Sequence, residues 1–143
     1  RGALQSALEH MAKAYLKYIL RYSEKTLKDY SSSKIIKELI DTLKINDTVD
    51  YYPQTELIKF KKTYGTTGMI DTLIRIRNIV AHPQKRYTNA SEERLYYQAV
   101  TQYLWLIEIA MLSFIKYRGK YSCRLDYPYC PGKLTEIEKY FEQ

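Results

Sequence analysis

The stretch Tyr103–Ile115, YLWLIEIAMLSFI, is the most apolar run in the chain. It is too short for a bilayer, whose hydrocarbon core takes about 20 residues of helix to cross, and Glu108 lies inside it. It therefore reads as a core helix. Both faces of this half are apolar, which predicts the central, most enclosed helix of the domain. Upstream, Asn89 with Glu92 three residues on makes a capping-box start for the same helix. Downstream, Gly119 in KYRG supplies its expected stop.

Working outward, the rest of the chain repeats the helical period. Apolar residues at Leu4, Leu8, Met11, Tyr15, Tyr18 and Tyr22 recur in steps of four and three, one face of a first long helix. A second helical stretch runs through KTLKDYSSSKIIKELIDTLKI, with Ile35, Ile36, Leu39, Ile40 and Leu43 on the buried stripe and a break or kink at YSSS, Tyr30–Ser33. A short helix is predicted over Thr55–Lys62, closed by YGTTG. A third long helix begins near Gly68, has Asp71 in its first turn where the helix dipole favours an anion, and carries Met69, Ile70, Leu73, Ile74, Arg77 and Ile79. CRLDYPYCPG reads as loop, and TEIEKYF as a short last helix with Thr135 and Glu138 as cap and box partner. Gly and Pro are scarce, 5 and 4 residues, which argues against a sandwich or barrel built on tight turns. The predicted fold is all-α, an up-and-down bundle of four to five helices.

At 143 residues the chain is one domain, 1–143, able to bury a core without staples. Its first residue is Arg rather than Met, so the expectation is a piece of a longer protein from which a preceding N-terminal domain is missing. Net charge +7 points to an anionic partner, most often nucleic acid, although a merely soluble basic surface has the same charge. Cys123 and Cys130 are read as free thiols in a reducing compartment. A tetrahedral metal site needs four ligands, and His10 and His82 are far off in sequence, so no metal and no cofactor are expected. No signal peptide opens the chain, NDT at Asn46 and NAS at Asn89 then being chance matches to the glycosylation pattern, and a cytoplasmic protein with no membrane contact is expected.

One stretch holds the candidate chemistry: RIRNIVAHPQK, Arg75–Lys85. Pro83 pushes His82 out of helical geometry. If the helix unwinds at Ala81, His82 can swing back under the last turn and share a cleft with Arg77, with Asn78 beside both. That set suits cleavage of RNA by its own 2′-hydroxyl. The reaction needs a base for the 2′-OH proton, an acid for the leaving 5′-oxygen and a cation for the phosphorane. His82 can serve as base or acid near neutral pH, and Arg77 can hold phosphate oxygens bidentately. One His cannot easily do both jobs, so a symmetric dimer pairing two motifs is attractive. Arg75, Lys85 and Arg86 are candidates to guide the RNA backbone. The plainer reading is a His at a helix end, favoured by the dipole, and a solvated Arg. Spacing alone favours that plainer reading.

LIRIRNIVAHP, on the third long helix of an all-α bundle, resembles the signature of the HEPN superfamily. FIKYRGKYSCRL is similar to the Tyr-x-Gly-x-Tyr-x-x-Arg ending of the Apea-like HEPN group, falling on Tyr117, Gly119, Tyr121 and Arg124, and ALEHMAKAYL fits that group's first helix. The resemblance runs from about Ala3 to about Asp126. It implies a metal-independent endoribonuclease domain, a homodimer with the two motifs at its interface, within a bacterial anti-phage protein of abortive-infection type. The catalytic pair it implies is Arg77 and His82, with Asn78 as the polar residue after the Arg. The alternative is a non-catalytic helical module that dimerises or binds RNA inside a larger defence protein. A small DNA-binding regulator fits poorly, because the basic residues are dispersed rather than gathered on one recognition helix.

Overall fold

The computed structural model describes residues 2–47, 54–81, 92–125 and 134–141. Six α-helices follow one another: α1 (Ala3–Tyr18), α2 (Glu24–Lys28), α3 (Ser32–Leu43), α4 (Thr55–Tyr64), α5 (Met69–Ala81) and α6 (Glu92–Phe114). After α6, a two-residue strand β1 (Lys120–Tyr121) pairs antiparallel with β2 (Thr135–Glu136), and a 3₁₀ turn over Ile137–Tyr140 ends the described chain. This is the all-α bundle that the periodicity predicts, with α2 the one helix shorter than ten residues among those described. No helix among the described residues is long and apolar enough to cross a membrane.

α6 is the axis of the bundle. It packs against α1, α3, α4 and α5, and it buries Leu95, Ala99, Tyr103, Trp105, Leu106, Ile109 and Ala110. The predicted centrality of Tyr103–Ile115 holds over the buried part of that stretch, while its last turn opens to solvent at Met111 and Ile115.

Local sequence explains most helix ends. Ser23 caps α2 by accepting from the Thr26 N–H at 3.1 Å, and Ser31 caps α3 by accepting from Lys34 at 3.2 Å. The break at YSSS is thus a pair of helices rather than a kink. Gly65 closes α4 at φ +63°, a left-handed conformation that a side chain would disfavour. Ile35, Ile36, Leu39 and Ile40 of α3 are fully buried as expected, with Leu43 packed against them.

Three boundaries differ from the sequence pattern. α1 stops at Tyr18 instead of running through Tyr22, because Arg21 turns left-handed (φ +62°) and Tyr22 leaves to hydrogen-bond Glu38 of α3 at 2.6 Å. Its buried face is Gln5, Leu8, Ala12 and Leu16, about one position round from the predicted stripe, and Tyr18 is 61% exposed. α6 is stopped by Lys116, not Gly119. Lys116 sits at φ +55°, its N–H donates to Ser113 O and that of Tyr117 to Leu112 O, the paired bonds of a Schellman end. Gly119 has a different duty: a Cβ there would lie 2.5 Å from the Tyr117 hydroxyl, which donates to Lys120 O at 2.6 Å. Finally, Thr135 is in a strand rather than at a cap, since pairing with Lys120–Tyr121 outweighs the local helical pattern of TEIEKYF. The Asn89 start of α6 lies outside the described residues.

α4 is positioned from a distance. Its N-cap, Gln54, makes no side-chain cap bond, so the first-turn N–H groups of Glu56 and Leu57 need another acceptor. Gln98 of α6 provides it, its Oε1 accepting from both at 3.0 and 3.1 Å in a buried setting. Replacing Gln98 with Leu should leave two buried donors without that acceptor, each costing about 1–3 kcal/mol. The expected result in urea unfolding is a loss of at least ~2 kcal/mol in stability at unchanged m. An unchanged midpoint would show that the cap is dispensable.

Candidate functional site

α5 carries the described candidate residues Arg75, Arg77 and Asn78, and its own N-terminus is held firmly. Asp47 accepts from the Ile70 N–H at 3.0 Å, and a Cβ at Gly68 would collide with that carboxylate. Asp71 pairs with Lys37 of α3 at 2.6 Å. Met69, Ile70, Leu73, Ile76 and Ile79 then bury the inner face of the helix, so the outer positions 75, 77 and 78 are exposed.

Arg75 and Arg77 do not share a face. Residues two apart on a helix diverge by about 200°. Arg75 lies over the Tyr64 ring, 5.7 Å from its centroid, beside a shallow recess that Asn78 also lines. Arg77 instead borders a cleft of about 260 Å³ between α5 and α6. Its Nη1 donates to Asn78 Oδ1 at 3.1 Å, so these two candidates are brought together. The cleft walls are apolar and aromatic: Leu73, Ile76, Val80 and Ala81 from α5, Tyr96, Ala99, Val100 and Tyr103 from α6, with Gly2 at the edge.

Tyr96 and Tyr103 were not among the residues singled out in the sequence. The signal is present, since Tyr96, Ala99, Val100 and Tyr103 recur at helical spacing. However, it gains meaning only once α5 is known to pack opposite. The Tyr103 hydroxyl donates to Gln5 Oε1 of α1 at 3.4 Å. Burial pushes its phenol well above the ordinary range, and the nearby Arg77 charge opposes this only in part. Tyr103 therefore stays a neutral donor near pH 7 rather than becoming a phenolate base.

The described part of α5 is helical through Ala81, and the helix stop at His82–Pro83 lies outside the described residues. His82, Lys85 and Arg86 lie outside the described residues. His10 is on α1, exposed, with Nδ1 against Ser6 O at 2.7 Å. Cys123 is a buried free thiol that accepts from the Tyr140 hydroxyl at 2.9 Å.

The Tyr-Gly-Tyr-Arg ending is engaged inside the domain. Tyr121 Oη accepts from Trp105 Nε1 at 2.9 Å. Arg124 grips Glu108 of α6 with Nε 2.9 Å from both carboxylate oxygens and with Nη2 on Oε1. Tyr117 closes the Gly119 turn, as described above. Each residue of this motif except the glycine thus binds its own chain, and the motif holds the C-terminal segment on α6.

Fold and site together define a class: an α-helical bundle domain with a half-open aromatic cleft edged by one arginine. The chain matches the YopA C-terminal domain over residues 3–136, and it belongs to that family. Neither a curated protein nor a solved structure matches it.

The anchoring of α5 has a pH signature. Burial alone would raise the Asp71 pKa, but the bonds from Lys37 and Thr67 outweigh it and hold the carboxyl below the ordinary range. A depressed folded pKa means stability that is present above about pH 4, the unfolded value, and is lost as pH falls through the folded pKa. Thermal unfolding should therefore place the wild-type midpoint above that of Asp71→Asn at pH 7, with the gap closing toward pH 3 (about a unit below the unfolded carboxylate value). A gap independent of pH would remove the ion pair from the account.

Proposed function

We propose that this domain is a metal-independent endoribonuclease of HEPN type, close to the Apea-like group, that cuts RNA by attack of the 2′-hydroxyl. The observation that carries the reading is Arg77. It is exposed at the edge of the cleft, and among the described residues no carboxylate pairs with it. Among the described residues its side-chain bond is to Asn78, which leaves other N–H donors of the guanidinium to meet a phosphate. In this reading Arg77 stabilises the phosphorane, His82 moves the proton, and Asn78 orients the guanidinium. Tyr96 and Tyr103 supply aromatic walls beside the reacting phosphate. Arg75, Lys85 and Arg86 guide the strand, Arg75 from the neighbouring face of α5.

The proposed active form is a homodimer in which two such motifs complete one acid–base pair. Tyr97 and Val100, 73% and 38% exposed on α6 beside the cleft, suit that interface. The wider role is RNA cleavage in bacterial anti-phage abortive infection, with the domain acting as part of a longer cytoplasmic protein.

A second reading has its own support. The Tyr-Gly-Tyr-Arg ending serves internal contacts, so that part of the resemblance is explained by packing without any reaction. A dimerising or RNA-holding module would keep it equally well.

Incubation of the protein with RNA separates the two. Cleavage is expected to persist in EDTA, to stop when the nucleotide at the cut carries a 2′-deoxy sugar, and to fall roughly 100-fold or more in both Arg77→Ala and His82→Ala. RNA bound but uncut by the wild type would favour the module, and loss of cleavage in EDTA would contradict the mechanism.

A further inference from the structure

A second surface, unused by the Arg77 site, concentrates the positive charge of the domain. Between Lys13 and Lys34 the chain carries six basic residues against two acidic ones, so this segment contributes +4 of the net +7. The segment is the C-terminal half of α1, all of α2 and the first turn of α3. It folds into an open groove of about 620 Å³ whose lining includes Lys13, Lys17, Lys28, Tyr18 and Tyr30.

The charges are only partly neutralised. Lys13 pairs with Glu9 at 2.6 Å, and Lys17 pairs with Glu24, the one carboxylate lining the groove among the described residues. Arg21, Lys25 and Lys28 form no ion pair among the described residues. The aromatic rings are set among these cations. Lys34 Nζ lies 3.8 Å from the Tyr30 centroid and Lys17 Nζ 5.2 Å from that of Tyr18. Tyr18 is 61% exposed, a large ring held at the surface with no core to fill.

Exposed tyrosine interleaved with lysine is the chemistry of single-stranded polynucleotide binding, in which rings stack on bases and cations hold the phosphates between them. A closed duplex offers phosphates but hides its base faces, so it would leave Tyr18 unused. An acidic peptide would meet the charge but not the ring. We propose that this groove binds single-stranded nucleic acid without sequence preference, Tyr18 stacking on a base while Lys28 and Lys34 hold flanking phosphates. It is a site apart from the cleft: Gly2, at the cleft edge, and Lys13–Tyr18 are separated along α1 by roughly 20 Å. Its binding does not depend on cleavage at Arg77.

The test is fluorescence anisotropy of a labelled oligodeoxythymidylate, which 2′-OH chemistry cannot cut, titrated with the protein at several salt concentrations. Tyr18→Ala should weaken binding about fivefold or more, and Tyr18→Phe should retain it. Lys28→Ala should flatten the log–log salt slope by about 0.7. The Tyr18 effect should persist in an Arg77→Ala background, and polyglutamate at equal charge should compete poorly. Wild-type affinity in Tyr18→Ala, no binding at all, or full competition by polyglutamate would overturn the groove. Loss of the Tyr18 effect with RNA cleavage intact sinks this inference alone, whereas intact binding without cleavage sinks only the nuclease reading.

Discussion

The structure depends on one constraint: α6 is enclosed by the bundle yet carries polar side chains that must find partners once water is excluded. The partners found are spread over the fold. Gln98 caps α4, Gln102 Nε2 contacts Met69 Sδ of α5, and the Tyr103 hydroxyl reaches Gln5 of α1. Trp105, fully buried, donates to Tyr121 of β1. Glu108 takes Arg124 in a bidentate grip. Apolar contact alone would let the surrounding helices slide over α6. These directed bonds fix their heights along it.

That fixing shapes the site. α5 is pinned at its start by Asp47, by Lys37 on Asp71 and by the packing of Met69, so its far end is presented in a set position against Tyr96 and Tyr103. The cleft results from the two helices meeting around small side chains, Ala81 and Ala99, flanked by aromatic rings. Arg77 stands at its margin with no carboxylate partner among the described residues, and the basic groove across α1–α3 is the separate hold proposed for a strand. The nuclease proposal joins these features to a His82 that follows α5 directly in sequence.

What was legible in the sequence was what depends on near neighbours. The 3–4 periodicity of Ile35–Leu43, the interruption at YSSS and the YGTTG close after Tyr64 all act within a turn of themselves. What was not legible depends on chain segments far apart. Gln98 looked like one more polar residue on α6 until α4 brought two orphan N–H groups to it. Gly119 looked like a helix stop, but Lys116 takes that part and the glycine makes room for Tyr117. TEIEKYF has a helical pattern, yet its first residues become a strand because Lys120–Tyr121 is there to pair with. Of the candidate site, Arg77 hydrogen-bonds its sequence neighbour Asn78, Arg75 is turned away from Arg77 by the helical angle between them, and the meeting of Arg77 with His82 lies outside the described residues. Tyr96 and Tyr103 could be grouped by spacing, but only the packing of α5 makes them walls of a cleft.

The central claim is attack by the RNA's own 2′-hydroxyl, and the ends of the product report on it most directly. Mass spectrometry of a short RNA cut by the protein should find a 2′,3′-cyclic phosphate, or the phosphate from its opening, on the upstream fragment and a 5′-hydroxyl on the downstream one. A 3′-hydroxyl with a 5′-phosphate would mean that water or another outside nucleophile did the cutting, and would contradict the account.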